Sequence, residues 1–291
     1  MKTPNLHTWF LPGKSPLACL STVPQPSTDP NKLRLLFVHG MWQTGIHYTP
    51  WLTLCQRSDI EAHALHFRGR EGSRPVENIG AVPLHEFVAD LLEAIACLAP
   101  VSVVGSSLGG LITLAALPKA KTGQVESATI LCSSPPRGIS LPFASKWRLL
   151  RLSYLSAMYG SKPFVLKKKD LSFLASGREL VEEAPPFVPE SGRAIRELDQ
   201  GELKLHPCGT TCRIRFFAGC HDRVVPPSVQ MKIAALYGAS PTVLQTGHMA
   251  HLERDTHEST LRTVIDRIQG SRRKRRRTRF SSELSGVQVT A

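Results

Sequence analysis

The chain has 291 residues, 42% of them apolar and 20% charged, which is enough for one large domain or two small ones with a sizeable core. This composition excludes wholesale disorder and collagen-like order. The formal net charge is +13, and nearly half of the excess belongs to one segment, because seven of the 36 basic residues lie between Arg272 and Arg279.

The sequence also predicts where the protein resides. It contains no run of eighteen apolar residues, and its N-terminus lacks the basic, apolar and small-residue regions of a secretory signal. The seven cysteines are an odd number, scattered and mostly surrounded by apolar residues, which is typical of reduced thiols. We therefore expect a soluble, cytoplasmic protein without a transmembrane segment.

Predicted strands and helices alternate over the first half of the chain. Short apolar runs typical of buried parallel strands occur at 33–40, 60–67, 101–105 and 127–133, after two weaker strands at 7–11 and 16–22. A helix is predicted from Leu84 to Ala99, and another follows the glycine-rich turn at 105–110. This repeated order is typical of βαβ units.

The pattern changes between residues 135 and 207, where we predict an inserted helical layer. Strands return at 211–219 and 241–247, with helices near 227–237 and 256–269. The fold class is therefore predicted as α/β, with a mostly parallel central sheet of about eight strands flanked by helices and an inserted helical cap. The expected divisions are core at 1–134, insertion at 135–207, core at 208–270 and a basic disordered tail at 271–291.

The insertion is rich in large apolar side chains that have two interpretations. They could line an apolar acyl pocket, or they could pack the insertion onto the sheet, and most should pack in either case. These residues are Phe143, Trp147, Leu150, Tyr154, Met158, Phe164 and Phe173.

Functional side chains of such sheets gather at the carboxyl ends of the strands. One of these ends carries the spacing Gly-x-Ser-x-Gly, formed by Gly105, Ser107 and Gly109. A nucleophile on a sharp strand-to-helix turn needs small residues two positions before and after it, because neighbouring chain passes close by. Ser107 is therefore predicted to be a nucleophile; the alternative is a structural turn.

A serine hydroxyl needs a base, and that base needs a third group to orient it. Asp222 and His248 follow two later strands, and the order Ser, Asp, His agrees with one arrangement of serine hydrolases. His251 is an alternative base, but His248 directly follows Gly247 at the strand end. His221 adjoins Asp222 and is expected to face away.

With these motifs the chain resembles the α/β-hydrolase superfamily, particularly its capped esterase and lipase-like members. The likeness runs from about Leu33 to Ile268 and includes His39-Gly40, the GSSLGG turn, the DRVVP acid loop and the GHxxxLE histidine loop. The segment FRGREGS (67–73) resembles the family's Arg-Gly-x-Gly loop. It departs from the usual His-Gly pair by carrying Arg70-Glu71-Gly72.

The resemblance implies that Ser107 attacks a carbonyl carbon, that His248 acts as base and then acid, and that Asp222 orients the imidazole. It also implies an oxyanion hole made by the backbone N–H groups of Met41 and Leu108. The implied activity is hydrolysis of carboxylic esters through a covalent acyl-enzyme. The same residues could cleave thioesters, amides or carbon–carbon bonds, and a non-catalytic binding protein is a further alternative.

No cofactor is expected, and a metal site is considered but not favoured. A cluster of His and Cys invites a zinc interpretation, but its spacing is irregular and a predicted strand separates the cysteines. The cluster consists of His206, Cys208, Cys212, Cys220 and His221.

The expected partner is a small-molecule substrate with an apolar part. The basic run at 272–279 could also contact anionic surfaces, or it could be only a solvated tail.

Overall fold

The computed structural model describes residues 5–29, 31–142, 152–207 and 209–285, without the side chains of 152, 271 and 273–285. Its main sheet has eight strands in the order β1-β2-β4-β3-β5-β6-β9-β10. These strands are β1 (His7–Phe10), β2 (Ala18–Ser21), β3 (Arg34–Val38), β4 (Glu61–His66), β5 (Val101–Ser106), β6 (Val125–Leu131), β9 (Arg213–Gly219) and β10 (Thr242–Leu244). Two further strands, β7 (Pro163–Phe164) and β8 (Glu190–Ser191), lie between β6 and β9 in sequence and belong to the insertion.

Pairing within the sheet is parallel from β4 to β10, while β1 and β2 pair antiparallel at one edge. The predicted mostly parallel sheet of about eight strands is therefore confirmed. The two weak leading strands of the sequence are also present, as β1 and β2. The parallel strands place their carboxyl ends at one edge of the sheet, where polar side chains can meet.

Eight helices accompany the sheet within the described residues. They are α1 (Thr49–Arg57), α2 (Leu84–Leu98), α3 (Leu108–Ala116), α4 (Leu152–Gly160), α5 (Lys168–Leu174), α6 (Gly192–Asp199), α7 (Pro227–Ala235) and α8 (His257–Ser285). None of the described helices is long and apolar enough to span a membrane.

The core lies on both faces of the sheet because side chains alternate along each strand. In β3, Leu35 and Phe37 face the layer that contains α1 and α8, and Leu36 and Val38 face the layer of α2, α3 and α7. A strand buried on both sides reads as a continuous apolar run, which explains why the sequence revealed β3 and β5 clearly.

The insertion contains α4, α5 and α6, and also a short antiparallel pair of strands that the sequence did not indicate. This pair is β7 (Pro163–Phe164) with β8 (Glu190–Ser191). Of the large apolar residues of the insertion, Met158 and Phe164 are buried. The ring of Phe164 meets the rings of Tyr154 and Trp42, so these residues pack the insertion onto the core. Phe143, Trp147 and Leu150 lie outside the described residues.

The C-terminal helix differs from the expected disordered tail at 271–291. The backbone of α8 continues through Gly270 to Ser285, and residues 286–291 lie outside the described residues. The segment contains no proline, and arginine and lysine favour helices, so nothing in it ends the helix. Arg272 fastens α8 to the body by donating to the Asn31 carbonyl oxygen and to a Glu126 carboxylate oxygen, both at 3.2 Å. The division of the rest of the chain at 134 and 207 stays a prediction.

Candidate active site

The strands β5, β9 and β10 run in the same direction, so their carboxyl ends lie at one edge of the sheet. Ser107 directly follows β5, Asp222 lies three residues after β9, and His248 lies four residues after β10. The three residues are far apart in sequence, but the sheet topology brings them to the same edge.

The turn that carries Ser107 is sharp. Ser107 has φ 54° and ψ −120°, a conformation that a residue with a side chain rarely adopts. A Cβ atom at Gly109 would lie 2.2 Å from the Val38 carbonyl oxygen, and one at Gly105 would lie 2.5 Å from the Gly109 carbonyl oxygen. Both glycines are therefore needed for steric reasons, and the spacing seen in the sequence has a physical cause.

The loops that carry Asp222 and His248 lie side by side. Beyond the end of β9, the Cys220 N–H donates to the Leu244 carbonyl at 2.9 Å and the His221 N–H donates to the Thr246 carbonyl at 3.0 Å. These two bonds continue the β9–β10 pairing into the loops. The Asp222 carboxylate and the His248 ring are consequently held at neighbouring positions.

Ser107, His248 and Asp222 form one hydrogen-bonded row. His248 Nε2 lies 2.9 Å from Ser107 Oγ, and His248 Nδ1 lies 2.8 Å from Asp222 Oδ2. The second carboxylate oxygen, Asp222 Oδ1, accepts the N–H groups of Val224 and Val225, each at 2.8 Å. Asp222 is 4% exposed and His248 5%, so little water competes for these bonds. A proton on Nδ1 leaves Nε2 free to accept from the serine hydroxyl.

The loop after β3 passes directly over the nucleophile. A Cβ atom at Gly40 would lie 3.0 Å from the Ser107 Cβ, and Met41 lines the same small cavity as Ser107. Leu108 is the first residue of α3, so its N–H has no partner within the helix. The backbone N–H groups of Met41 and Leu108 thus belong to the two segments that flank Ser107.

The cavity beside Ser107 is small. Its volume is about 20 Å³, and its apolar walls are formed by Trp42, Leu174, Phe187 and Met249. A cavity of this size holds about one water molecule. Two of these wall residues, Leu174 and Phe187, belong to the insertion, so the insertion forms part of the wall of the site.

The two other histidines near the site have different surroundings. His251 is buried and lines the same cavity, and burial lowers its pKa to about 3, with the charges of His47 and His248 adding to the effect. Such an imidazole stays neutral at physiological pH. The side chain of His221 is exposed. Neither residue replaces His248 in the hydrogen-bonded row.

Two buried carboxylates support the site and were not identified from the sequence. Glu253 accepts the Gly247 N–H at 2.6 Å, directly before His248. Glu190 accepts the Trp42 N–H at 2.9 Å, directly after Met41. Glu253 lies in the GHxxxLE motif, so its closeness to His248 was a usable signal. Glu190 lies in the insertion, where no sequence pattern marks it.

The described residues contain no group of three or more His, Cys, Asp or Glu side chains that could hold a metal ion. Within the cluster considered for zinc, β9 lies between Cys212 and Cys220, and Cys208 is outside the described residues. Among the described cysteines, Cys19, Cys55, Cys97, Cys132 and Cys220 are free thiols.

The chain is similar to known proteins both in sequence and in fold. Residues 35–258 match the family described as the alpha/beta hydrolase family. No curated protein matches the chain.

Three solved structures illustrate the similarity of the fold. The 2-hydroxy-6-oxo-6-phenylhexa-2,4-dienoate hydrolase of Rhodococcus sp. strain RHA1 has 17% identity and a TM-score of 0.62, over 91% of this chain and 99% of that one. A methylesterase from Arabidopsis has 16% identity and a TM-score of 0.62, over 81% of this chain and 99% of that one. The enol-lactonase of Burkholderia xenovorans LB400 has 15% identity and a TM-score of 0.62, over 87% of this chain and 96% of that one. Because the family match extends over most of the chain, this protein belongs to the α/β-hydrolase family.

Proposed function

We propose that the protein is a serine hydrolase that cleaves carboxylic esters through a covalent acyl-enzyme. The observation that carries this proposal is the row in which His248 Nε2 lies 2.9 Å from Ser107 Oγ and His248 Nδ1 lies 2.8 Å from Asp222 Oδ2. These distances allow direct proton transfer. Membership of the α/β-hydrolase family, and neighbours that include a methylesterase and a lactonase, support the same chemistry.

In the first half of the reaction, Ser107 Oγ attacks the carbonyl carbon of the ester while His248 Nε2 takes the hydroxyl proton. Asp222 stabilises the imidazolium and keeps its Nδ1–H in place. When the tetrahedral intermediate collapses, the bond to the alcohol breaks and His248 gives the proton to the leaving oxygen. A water molecule then attacks the acyl-enzyme by the same proton route, which releases the acid and restores Ser107.

The negative oxygen that develops on the substrate requires fixed donors. We assign this role to the N–H groups of Met41 and Leu108. Leu108 opens α3, so the partial positive charge of the helix N-terminus also favours an anion there. Neither donor can be removed by an ordinary substitution, because both belong to the main chain.

The cavity of about 20 Å³ suggests the size of the acyl group. An acetyl or propionyl group needs little room beyond Ser107, whereas a long acyl chain would meet Leu174 and Phe187 at the wall of the cavity. A series of p-nitrophenyl esters of rising chain length tests the function and the size preference together. We expect wild-type protein to have its highest kcat/KM for the short esters. The Ser107→Ala variant should hydrolyse none of the esters. Wild-type protein that hydrolyses no ester of the series would contradict the proposal.

The same three side chains could serve thioester, amide or carbon–carbon bond cleavage. Turnover of a thioester, an anilide or a vinylogous diketone at a higher kcat/KM than any ester would replace the ester assignment. The other alternative is a non-catalytic binding protein. Binding of a ligand at this site without turnover of any of these substrates would favour that alternative.

The basic segment 272–279 supports a further proposal about partners. We propose that it contacts anionic surfaces, since Arg272 fixes α8 to the body and six more basic residues follow it in sequence. Such binding should weaken with salt and disappear on truncation after Gln269. A cytoplasmic location also stays a proposal, supported by the free thiols of Cys19, Cys55, Cys97, Cys132 and Cys220.

A further inference from the structure

The main chain of Trp42 is held from both sides by the insertion. Its N–H donates to Glu190 Oε2 at 2.9 Å, and its carbonyl accepts the Val188 N–H at 2.9 Å. Trp42 has φ 61°, a left-handed conformation that is unfavourable for a bulky residue. Such a conformation persists only where neighbouring groups hold it. We refer to residues 187–191 of the insertion as the clamp segment.

The clamp segment is itself anchored to the core through Glu190 and Arg70. Arg70 Nη2 lies 2.7 Å from Glu190 Oε1, and Arg70 Nη1 donates to the Pro189 carbonyl at 3.0 Å. The same Glu190 oxygen accepts the Ser191 N–H at 2.7 Å. Glu190 is 1% exposed and Arg70 5%. A buried carboxylate with this many partners has one position, so the acceptor offered to Trp42 is fixed in space.

Arg70 is also the residue at which the chain departs from the usual His-Gly pair of its family. Its guanidinium, at the loop after β4, provides the cation that a buried Glu190 needs. Arg70 in the core loop and Glu190 in the insertion therefore form one ion pair. Through Glu190, this pair holds the peptide group that directly follows Met41.

We propose that Glu190 is a positioning residue of the oxyanion hole. By holding the Trp42 N–H, it fixes the peptide between Met41 and Trp42, and with it the direction of the Met41 N–H that would bind the substrate oxygen. The insertion thereby controls catalysis as well as the shape of the cavity. This inference rests on the proposed function, since it assigns Met41 to that reaction.

A matched pair of double variants distinguishes the effect of the hydrogen-bond acceptor at position 190 from the effect of the buried charge there. Both variants, Arg70→Met/Glu190→Gln and Arg70→Met/Glu190→Leu, remove the ion pair without leaving an unpaired charge, and only the first keeps an oxygen for the Trp42 N–H. We expect the Gln variant to retain kcat within about fivefold of wild type. The Leu variant should lose kcat about ten- to a hundredfold with KM changed less than about twofold, because full loss of an oxyanion donor costs about 10²–10³ in kcat.

Glu197 of α6 provides a control. It is another buried carboxylate of the insertion, and it accepts the Leu84 N–H at 2.7 Å and pairs with Arg193. We expect Glu197→Leu to leave kcat within about twofold of wild type, even where it lowers the melting temperature. A loss of kcat as large as that of the Glu190 Leu variant would show a general packing effect and overturn the proposal.

Amide hydrogen exchange of residues 39–44 gives a readout that does not depend on turnover. The Leu variant should exchange faster there than the Gln variant, because its Trp42 N–H has lost its acceptor. Equal kcat and equal exchange in the two variants would overturn the role of Glu190. So would a change confined to KM. Wild-type protein that hydrolyses no ester would instead overturn the proposed function, which keeps the two failures distinct.

Discussion

The imidazole ring of His251 stacks on the phenol ring of Tyr48, with ring centroids 4.5 Å apart and an angle of 22° between the planes. It also meets the indole of Trp51 edge-on. His251 therefore belongs to an aromatic cluster of the core. His248, three residues earlier, instead contacts Ser107 and Asp222 through its two ring nitrogens.

This contrast predicts different effects for the two histidines. His248→Ala should lower kcat for a short p-nitrophenyl ester by at least about 10³-fold, because the serine loses its base. His251→Gln should lower kcat less than about tenfold, through packing alone. Steady-state kinetics on both variants checks the assignment. The reverse order of effects would make His251 the base.

Asp222→Asn tests the role of the carboxylate while preserving the loop. The asparagine oxygen can keep the bonds from Val224 and Val225, which places its NH₂ group against His248 Nδ1. Nδ1 must then accept, so Nε2 carries the proton and cannot take one from Ser107. We expect kcat to fall about 10³–10⁴-fold with a nearly unchanged melting temperature. Activity within tenfold of wild type would show that Asp222 does not orient the base.

The close approach at Gly109 predicts a loss of stability. A methyl group there would meet the Val38 carbonyl oxygen at 2.2 Å, so β3 or α3 must move. Gly109→Ala should lower the free energy of unfolding by about 2–3 kcal/mol. Gly270→Ala is the control, because its Cβ would meet nothing within 4 Å and alanine favours the helix by about 0.5–1 kcal/mol. Urea denaturation measures both, and equal stability of the two variants would contradict the close packing of the turn.

The lowered pKa values of three buried histidines predict how the free energy of unfolding depends on pH. Burial lowers the pKa of His47 and of His66 to about 4, with Arg70 adding to the effect, and lowers the pKa of His251 to about 3. The unfolded chain, with histidine pKa values near 6.5, therefore binds protons first as the pH falls. The stability that these neutral histidines provide is complete above about pH 6.5 and is lost toward about pH 4.

Urea denaturation at several pH values checks this sign. Each proton bound only by the unfolded chain contributes a slope of about 1.4 kcal/mol per pH unit. His66→Gln should make the decline between about pH 6.5 and 4 shallower than in wild type, whatever its effect at neutral pH. A free energy of unfolding that stays constant from neutral pH to about pH 5 would contradict the lowered pKa values.

Much of the fold could be predicted from the sequence, because most strands and helices are marked by patterns within their own residues. The strand β5 is a short apolar run, and α2 buries the stripe formed by Phe87, Leu91, Ile95 and Leu98. The candidate site was also accessible, since Ser107, Asp222 and His248 each follow a strand whose parallel pairing brings them together.

The remaining features depend on contacts between distant segments. Glu190 is 148 residues from Trp42, and neither residue lies in a periodic pattern that points to the other. Leu174 and Phe187 reach the cavity only through the path of the insertion. The helical continuation of α8 was missed because a dense basic run was interpreted as solvated tail. Its anchor at Arg272 depends on Asn31 and on Glu126 of β6, which both lie more than 100 residues away in the sequence.

The central claim is that Ser107 is a nucleophile activated by His248. Reaction with a fluorophosphonate, followed by mass spectrometry of the peptides, tests this claim most directly. We predict one adduct on Ser107 in wild type, and none in Ser107→Ala or in unfolded protein. Folded wild-type protein that stays unlabelled, or that carries the adduct on another residue, would contradict the account.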